Sequence, residues 1–166
     1  MSRQTTRRDV VMNAAKAAVA AWGVAMATEK AKAQGITPAL PMEKRDAIRA
    51  KAGEAPPAIP YPFTSVVGYG NLLYVSGVGA QIDGTIEEQT KWVFDQIEKN
   101  LIASGSSLDK VLKVDVYLED IKMFDRMNAV YKTRNWGKVF PARNTTQAAN
   151  LPGKDQGLAV DCVAYV

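Results

Sequence analysis

The sequence contains no histidine among its 166 residues, and this absence narrows the chemistry available to the protein. Histidine is the commonest general base near neutral pH and the commonest protein ligand of metal ions. Without it, a serine–histidine or cysteine–histidine nucleophile pair is excluded. Any catalysis must therefore use Arg, Asp, Glu or Tyr side chains, backbone groups and water. We expect no metal and no other cofactor.

Cysteine is nearly absent as well, since Cys162 is the only one in the sequence. No disulfide can form within the chain. A thiol becomes reactive when it is exposed and its pKa is lowered, whereas a lone structural cysteine is normally buried. We expect Cys162 to be buried and inert.

The sequence also lacks an excess of positive charge beyond its first 33 residues. The net charge is +4, and those 33 residues contain six basic and two acidic side chains, which account for all of it. The rest of the chain is therefore neutral. Because nucleic-acid binding depends on clustered Lys and Arg, we expect no nucleic-acid partner.

The basic N-terminus has the pattern of an export signal. Residues 5–12 (TTRRDVVM) resemble the twin-arginine motif, and an Ala-rich apolar stretch follows at residues 17–27. That stretch is about half of the roughly 20 residues that a transmembrane helix needs. Residues 31–33 (AKA) fit the A-x-A cleavage pattern. We interpret residues 1–33 as a twin-arginine-type signal peptide, cleaved after Ala33.

This interpretation predicts a bacterial periplasmic protein that is recognised by the twin-arginine export machinery. The protein would fold before it crosses the membrane and would have no stable membrane insertion after cleavage. Three alternatives stay open at this point: cleavage after Ala27, an uncleaved membrane anchor, and an ordinary Ala-rich surface helix.

Two further segments follow the leader. Residues 34–60 contain five prolines and are interpreted as a linker or lead-in, with one short charged helix over residues 42–52. Residues 61–166 alternate between strand-like and helix-like patterns. The predicted strands are 63–67, 72–76, 111–118, 144–148 and 158–166, and the predicted helices are about 85–103 and 121–135.

The predicted element order is β-β-α-β-α-β-β. Two amphipathic helices on one face of a mixed β-sheet define a two-layer α+β domain. The other face of the sheet must also be covered, and self-association is the simplest way to cover it.

Four blocks of residues 61–166 are together similar to the Rid family, the YjgF/RidA-like proteins. The blocks are 70–77 (GNLLYVSG), 88–90 (EQT), 103–118 with its ASGSSLDKV and VYL segments, and 124–143, which contains MNAVY and ends in FPAR. The resemblance implies a chorismate-mutase-like fold, a homotrimer and three clefts between subunits.

The resemblance also implies an activity, the hydrolysis of reactive 2-imino or 2-enamino acids to 2-keto acids and ammonia. Arg143 matches the family arginine that holds the substrate carboxylate, for which a guanidinium is suited because it forms two parallel hydrogen bonds. Asp161 falls where the family commonly has a glutamate that positions or activates water. Asn128 matches a family asparagine near the site, and Ser76 belongs to the first block.

Three positions depart from the family pattern. Asp161 is one methylene shorter than glutamate, and misplacement on that scale costs about 100-fold in rate. Phe63 stands where many active members have a tyrosine, and Val78 where they often have a glutamine. We predict a substrate-binding set of Arg143, Phe63, Ser76 and Asn128, with Arg143 and Asp161 as the catalytic residues. Tyr131 is interpreted as a core residue.

The departures leave other functions open. A non-catalytic periplasmic trimer could bind a small carboxylate in the same intersubunit cleft. A specialised lyase-like or hydrolytic step in a catabolic pathway is another alternative. Ribonuclease activity, sometimes attributed to the family, is disfavoured by the absence of histidine and by the neutral body.

Overall fold

The computed structural model of the chain describes residues 42–55 and 62–166. The predicted signal peptide at residues 1–33, and the prolines of the lead-in, lie outside the described residues. The described part of the chain forms one mixed β-sheet of six strands in the order β1-β2-β3-β6-β4-β5. The strands are β1 Arg45–Asp46, β2 Val66–Tyr69, β3 Leu72–Gly79, β4 Val111–Leu118, β5 Ala142–Gln147 and β6 Leu158–Tyr165. The α-helices are α1 Ala47–Ala52, α2 Ile86–Ala103 and α3 Phe124–Tyr131.

Helix α2 begins and ends where its sequence directs. The Thr85 side chain accepts a hydrogen bond from the backbone N–H of Glu88, and the Glu88 carboxylate accepts one from the backbone of Thr85. This reciprocal capping box satisfies two N–H groups that have no partner inside the helix. After Ser104 the chain turns at Gly105, whose φ of 85° is unfavourable for other residues. The predicted bounds of this helix are confirmed.

Helix α3 is shorter than its sequence pattern predicted. It ends at Tyr131 instead of Asn135, and a short 3-10 turn precedes it. The Trp136 indole N–H donates a 2.7 Å hydrogen bond to the carbonyl oxygen of Tyr131, which lies at the helix end. Trp136 is buried against Phe94 of α2, so the chain must leave the helix early to bring the indole into the core.

The lead-in contributes a strand that the sequence did not indicate, in addition to the predicted helix. Residues 45–46 form the edge strand β1, antiparallel to β2. The Asp46 side chain then accepts a hydrogen bond from the backbone N–H of Arg49 and caps α1. The charged helix predicted over residues 42–52 is therefore present from Ala47 onward, where it packs against α2 and β2.

The core lies between the sheet and the helices. Alternate residues of β6 (Leu158, Val160, Cys162 and Ala164) are buried toward the helices. Between them, residues such as Asp161 and Tyr165 point to the opposite face, since side chains alternate along a strand. Helix α3 connects β4 to its parallel neighbour β5. The predicted two-layer α+β arrangement with both long helices on one face is confirmed.

Candidate functional site

Arg143 lies on the edge strand β5 and points toward the helices. It pairs with Val114 of β4, which is fully buried on the helix side of the sheet. Helix α3 passes beside it, and the Nη1 group of Arg143 donates a 2.8 Å hydrogen bond to Oδ1 of Asn128. The structure therefore brings together two residues of the predicted substrate-binding set.

Aromatic rings form a platform for the guanidinium. The Arg143 guanidinium carbon lies 4.4 Å from the ring centroid of Tyr131 and 5.5 Å from that of Phe124. Trp136 stacks on Tyr131, with the ring centroids 4.6 Å apart. Such contacts attract a cation to the ring faces and limit its orientations. Among the described residues Arg143 makes no ion pair with a carboxylate, so its charge is available to a ligand.

The Arg143 cleft has a volume of about 600 Å³ and combines apolar walls with two positive charges. Its lining residues are Asn128, Tyr131, Lys132, Phe140, Pro141 and Arg143. No acidic side chain is in that set, and Phe140 is more than half exposed. A small anion with an apolar portion fits this combination of surfaces.

Asp161 lies in a different environment, on β6 directly opposite Asp115 of β4. The Lys113 ammonium is 2.7 Å from Oδ2 of Asp115, and the Asn144 amide donates a 3.1 Å hydrogen bond to Oδ1. Burial, and next the neighbouring Asp115 charge, raise the pKa of Asp161 above its ordinary value. Interaction with the Tyr117 hydroxyl and with Lys113 acts in the opposite direction.

Within one subunit, Arg143 and Asp161 point to opposite faces of the sheet. Asn144 follows Arg143 on β5 and contacts Asp115, which is the cross-strand neighbour of Asp161. Successive side chains of a strand point to opposite faces, so Arg143 must lie on the other side. The two predicted catalytic residues of a single chain therefore do not meet across one cleft.

Ser76 lies on the Asp161 side of the sheet. The pairing of β3 with β6 is interrupted between Val75 and Val78, and this irregularity faces Asp161. The Ser76 hydroxyl donates a 2.7 Å hydrogen bond to the carbonyl oxygen of Thr64. Phe63 precedes β2 and is 66% exposed. The structure thus places Asn128 with Arg143 and Ser76 with Asp161, and it brings exposed Phe63 into contact with neither group.

Two features of the site were not predicted. Tyr131 is a core residue, as interpreted, but its ring also supports Arg143. The predicted site did not include the polar row of Lys113, Asp115 and Tyr117. Their spacing of two residues along a strand indicates side chains that share one face. That face is the one to which Asp161 belongs.

Three further features of the described residues relate to the sequence analysis. Cys162 is buried as expected, and burial raises the pKa of its thiol to about 12. Over residues 42–55 and 62–166, no three His, Cys, Asp or Glu side chains come together as a metal site would require. In the same ranges, no helix is sufficiently long and apolar to cross a membrane.

Comparison with known proteins identifies the class to which this fold and site belong. The family model described as Endoribonuclease L-PSP matches residues 53–166. The chain therefore belongs to the L-PSP/YjgF family, and its sheet with helices on one face is the chorismate-mutase-like YjgF domain. The family predicted from the four sequence blocks is confirmed at this level.

Individual relatives agree with this assignment. The chain is 36% identical over 111 residues to a RutC family protein of Pyrococcus abyssi, covering 63% of this chain and 86% of that protein. A YjgF-family crystal structure from Neisseria meningitidis is similar with a TM-score of 0.64 at 25% identity, covering 75% and 95% of the two chains. The crystal structure of Escherichia coli TdcF with bound serine has a TM-score of 0.60 at 27% identity, covering 68% and 93%.

Proposed function

We propose that the protein is an imine deaminase that hydrolyses 2-imino or 2-enamino acids to 2-keto acids and ammonia. The observation that carries the proposal is the Arg143 guanidinium, which lies in an apolar cleft without any countercharge from the described residues. A bidentate carboxylate would complete its hydrogen bonding. Serine bound to the related TdcF is a small carboxylate of the same kind.

We further propose that the working site is composed from two subunits of a homotrimer. Arg143 and Asn128 of one chain would hold the carboxylate. Asp161 of a neighbour, with Ser76 beside it, would face the imine carbon and the attacking water. The opposite orientation of the two residues on one sheet supports this, because a site inside a single chain could use only one of them.

A coupled assay tests the activity. An amino-acid oxidase generates imines from a panel of amino acids, and release of the keto acid is followed with and without the protein. We expect acceleration in the wild type and its loss in Arg143→Ala. Each lost charge-assisted hydrogen bond costs about 1.5–3 kcal/mol, so binding of pyruvate should weaken by about 100-fold or more in a calorimetric titration.

Arg126→Ala is the matched control for this substitution. Arg126 belongs to α3, the helix that contains Asn128, but it is exposed and paired with Glu87 through two hydrogen bonds of 2.7 Å. Exposed pairs of this kind are screened by solvent and this one lies outside the cleft, so the variant should keep both binding and turnover. Pyruvate binding that is unchanged in Arg143→Ala would contradict the role of Arg143.

A second candidate is a non-catalytic trimer that binds a small carboxylate in the same cleft. Two observations favour it: Phe63 supplies no hydroxyl, and the shorter Asp161 stands in place of a glutamate. In this case the protein would bind pyruvate through Arg143, yet keto-acid release would not accelerate with any amino acid of the panel.

We also propose that the protein acts in the bacterial periplasm after twin-arginine export and cleavage following Ala33. The proposal depends on the sequence of residues 1–33 alone. Those residues contain the paired arginines, the Ala-rich stretch and the A-x-A pattern, and they account for the whole net charge.

A further inference from the structure

Two carboxylates face each other on the open side of the sheet. Asp115 of β4 and Asp161 of β6 are direct partners in an antiparallel pair. Side chains in that relation have their Cβ atoms about 4.5–5.5 Å apart, and two like charges there repel each other. The Asp115 charge must therefore disfavour ionisation of the Asp161 carboxyl group.

The surroundings of the two carboxylates are unequal. Asp115 forms an ion pair with the Lys113 ammonium at 2.7 Å and accepts a 3.1 Å hydrogen bond from the Asn144 amide. Asp161 makes no ion pair with a cation in the described part of the chain, and it is partly buried. The repulsion between the two is consequently not offset by a cation at Asp161, and the pKa of Asp161 is raised, first by its burial and next by the Asp115 charge.

We propose that Asp115 is a positioning residue that acts through Asp161. The fixed negative charge of Asp115 makes the Asp161 carboxylate a stronger base toward the water that attacks the imine carbon. The inference rests on the proposed deaminase function. A general base works best when its proton affinity approaches the operating pH, and an isolated aspartate is too weak a base for that. Asp161, which is shorter than the family glutamate, would thus become more basic through the neighbouring Asp115 charge.

The proton balance of the step is simple. Asp161 takes a proton from water as the new C–O bond forms and the C=N π electron pair moves to nitrogen. It then returns that proton to the nitrogen, which gives a neutral carbinolamine. In the second stage Asp161 takes the hydroxyl proton as the C=O bond forms, and it delivers this proton to the nitrogen as the C–N bond breaks. Ammonia and the keto acid leave, and the carboxylate is restored.

The described neighbours of Asp161 differ in the direction in which they shift its pKa. On β4, the Asp115 charge raises the pKa of Asp161, whereas Lys113 and the Tyr117 hydroxyl lower it. On β3, the residues facing it are Ser76 and Gly77, which do not titrate. On β6 itself, Cys162 points into the core and remains a neutral thiol.

The test is the pH dependence of kcat/KM in the intact protein. A general base loses activity as the pH falls through its pKa, so the acid limb of the profile follows Asp161. Asp115→Asn should move that limb to lower pH by about half a unit or more, and lower the rate at its plateau. Lys113→Gln and Tyr117→Phe should move it to higher pH. Glu119→Gln, an exposed carboxylate directly after β4, should leave it unchanged.

A second readout does not depend on catalysis. The carbon-13 resonance of the Asp161 carboxyl group, assigned by its loss in Asp161→Asn, is titrated in each variant. We expect shifts in the same directions as the kinetic limbs. An Asp161 titration that is identical in wild type and Asp115→Asn overturns the proposal. If the titrations shift as expected while the wild type hydrolyses no imine, the coupling of the two carboxylates stands and the deaminase function fails.

Discussion

At the scale of single residues, Arg143 combines a fixed position with a charge that no carboxylate of the described residues neutralises. Its guanidinium has one hydrogen bond to a neutral amide and two aromatic neighbours, which orient it without neutralising it. A carboxylate partner from the protein would compete with a ligand for the same donors. The ring contacts avoid that competition, since a cation over a ring face keeps its N–H groups directed outward.

Substitutions of Tyr131 separate its ring from its hydroxyl. The hydroxyl is buried and has no hydrogen-bond partner among the described residues, so Tyr131→Phe should be as stable as the wild type or more stable. Tyr131→Phe should also keep pyruvate affinity, because the ring that supports Arg143 remains. Tyr131→Leu removes that ring and should weaken binding by roughly 3- to 30-fold, in line with about 0.5–2 kcal/mol for a cation–π contact.

Thermal unfolding measures the stability of the two variants, and calorimetric titration measures their affinity for pyruvate. Equal pyruvate affinity in Tyr131→Leu and wild type would mean that the ring only fills the core. A destabilised Tyr131→Phe would mean that the hydroxyl has a partner in the assembled protein.

The sequence predicts part of this candidate site and contains no local signal for the rest. Arg143 and Asn128 can be predicted because both lie in residues 124–143, where the order of residues along the chain is similar to the family motif. The relation of Asp115 to Asp161 depends on the register between two strands that are about 45 residues apart in the chain. That register is determined by packing across the whole sheet, so no local pattern contains it.

At the scale of helices and strands, local signals were reliable where a cap or a turn residue marked the boundary. The capping box at Thr85 and the turn at Gly105 defined α2 correctly. The periodicity of α3 continued beyond its true end, because the competing contact of Trp136 with the Tyr131 carbonyl is not visible in a helical pattern. Strand β1, only two residues long, has too little pattern of its own to be recognised.

The capping box gives a direct test of how α2 is stabilised. Thr85→Ala should lower the free energy of unfolding by about 1 kcal/mol, because the backbone N–H of Glu88 loses its acceptor. Thr85→Ser keeps the hydroxyl and should lose much less. Chemical denaturation with circular dichroism measures both. If the two variants were equally destabilised, the loss would reflect methyl packing and not the cap.

At the scale of the whole molecule, the sheet separates the two halves of the proposed site. One face carries the helices together with Arg143 and Asn128, and the other carries Asp161 with its polar row on β4. The open face also exposes large side chains such as Tyr74 and Tyr117, which a neighbouring subunit would cover. Oligomer formation is therefore coupled to catalysis in the proposed homotrimer, since each cleft needs an arginine from one chain and an aspartate from another.

Mixed trimers test this arrangement. Arg143→Ala and Asp161→Asn should each be inactive alone, whereas co-expression of the two chains should restore activity. With random assembly about three-quarters of the trimers contain both chains, and each of these has one intact cleft in three, so about a quarter of the wild-type activity is expected. Co-expression of Asp161→Asn with a chain carrying both substitutions is the control, because no subunit then supplies Asp161 and activity should stay absent. Failure of the first mixture to recover activity, with mixed trimers verified by mass spectrometry, would mean that Arg143 and Asp161 do not serve one cleft.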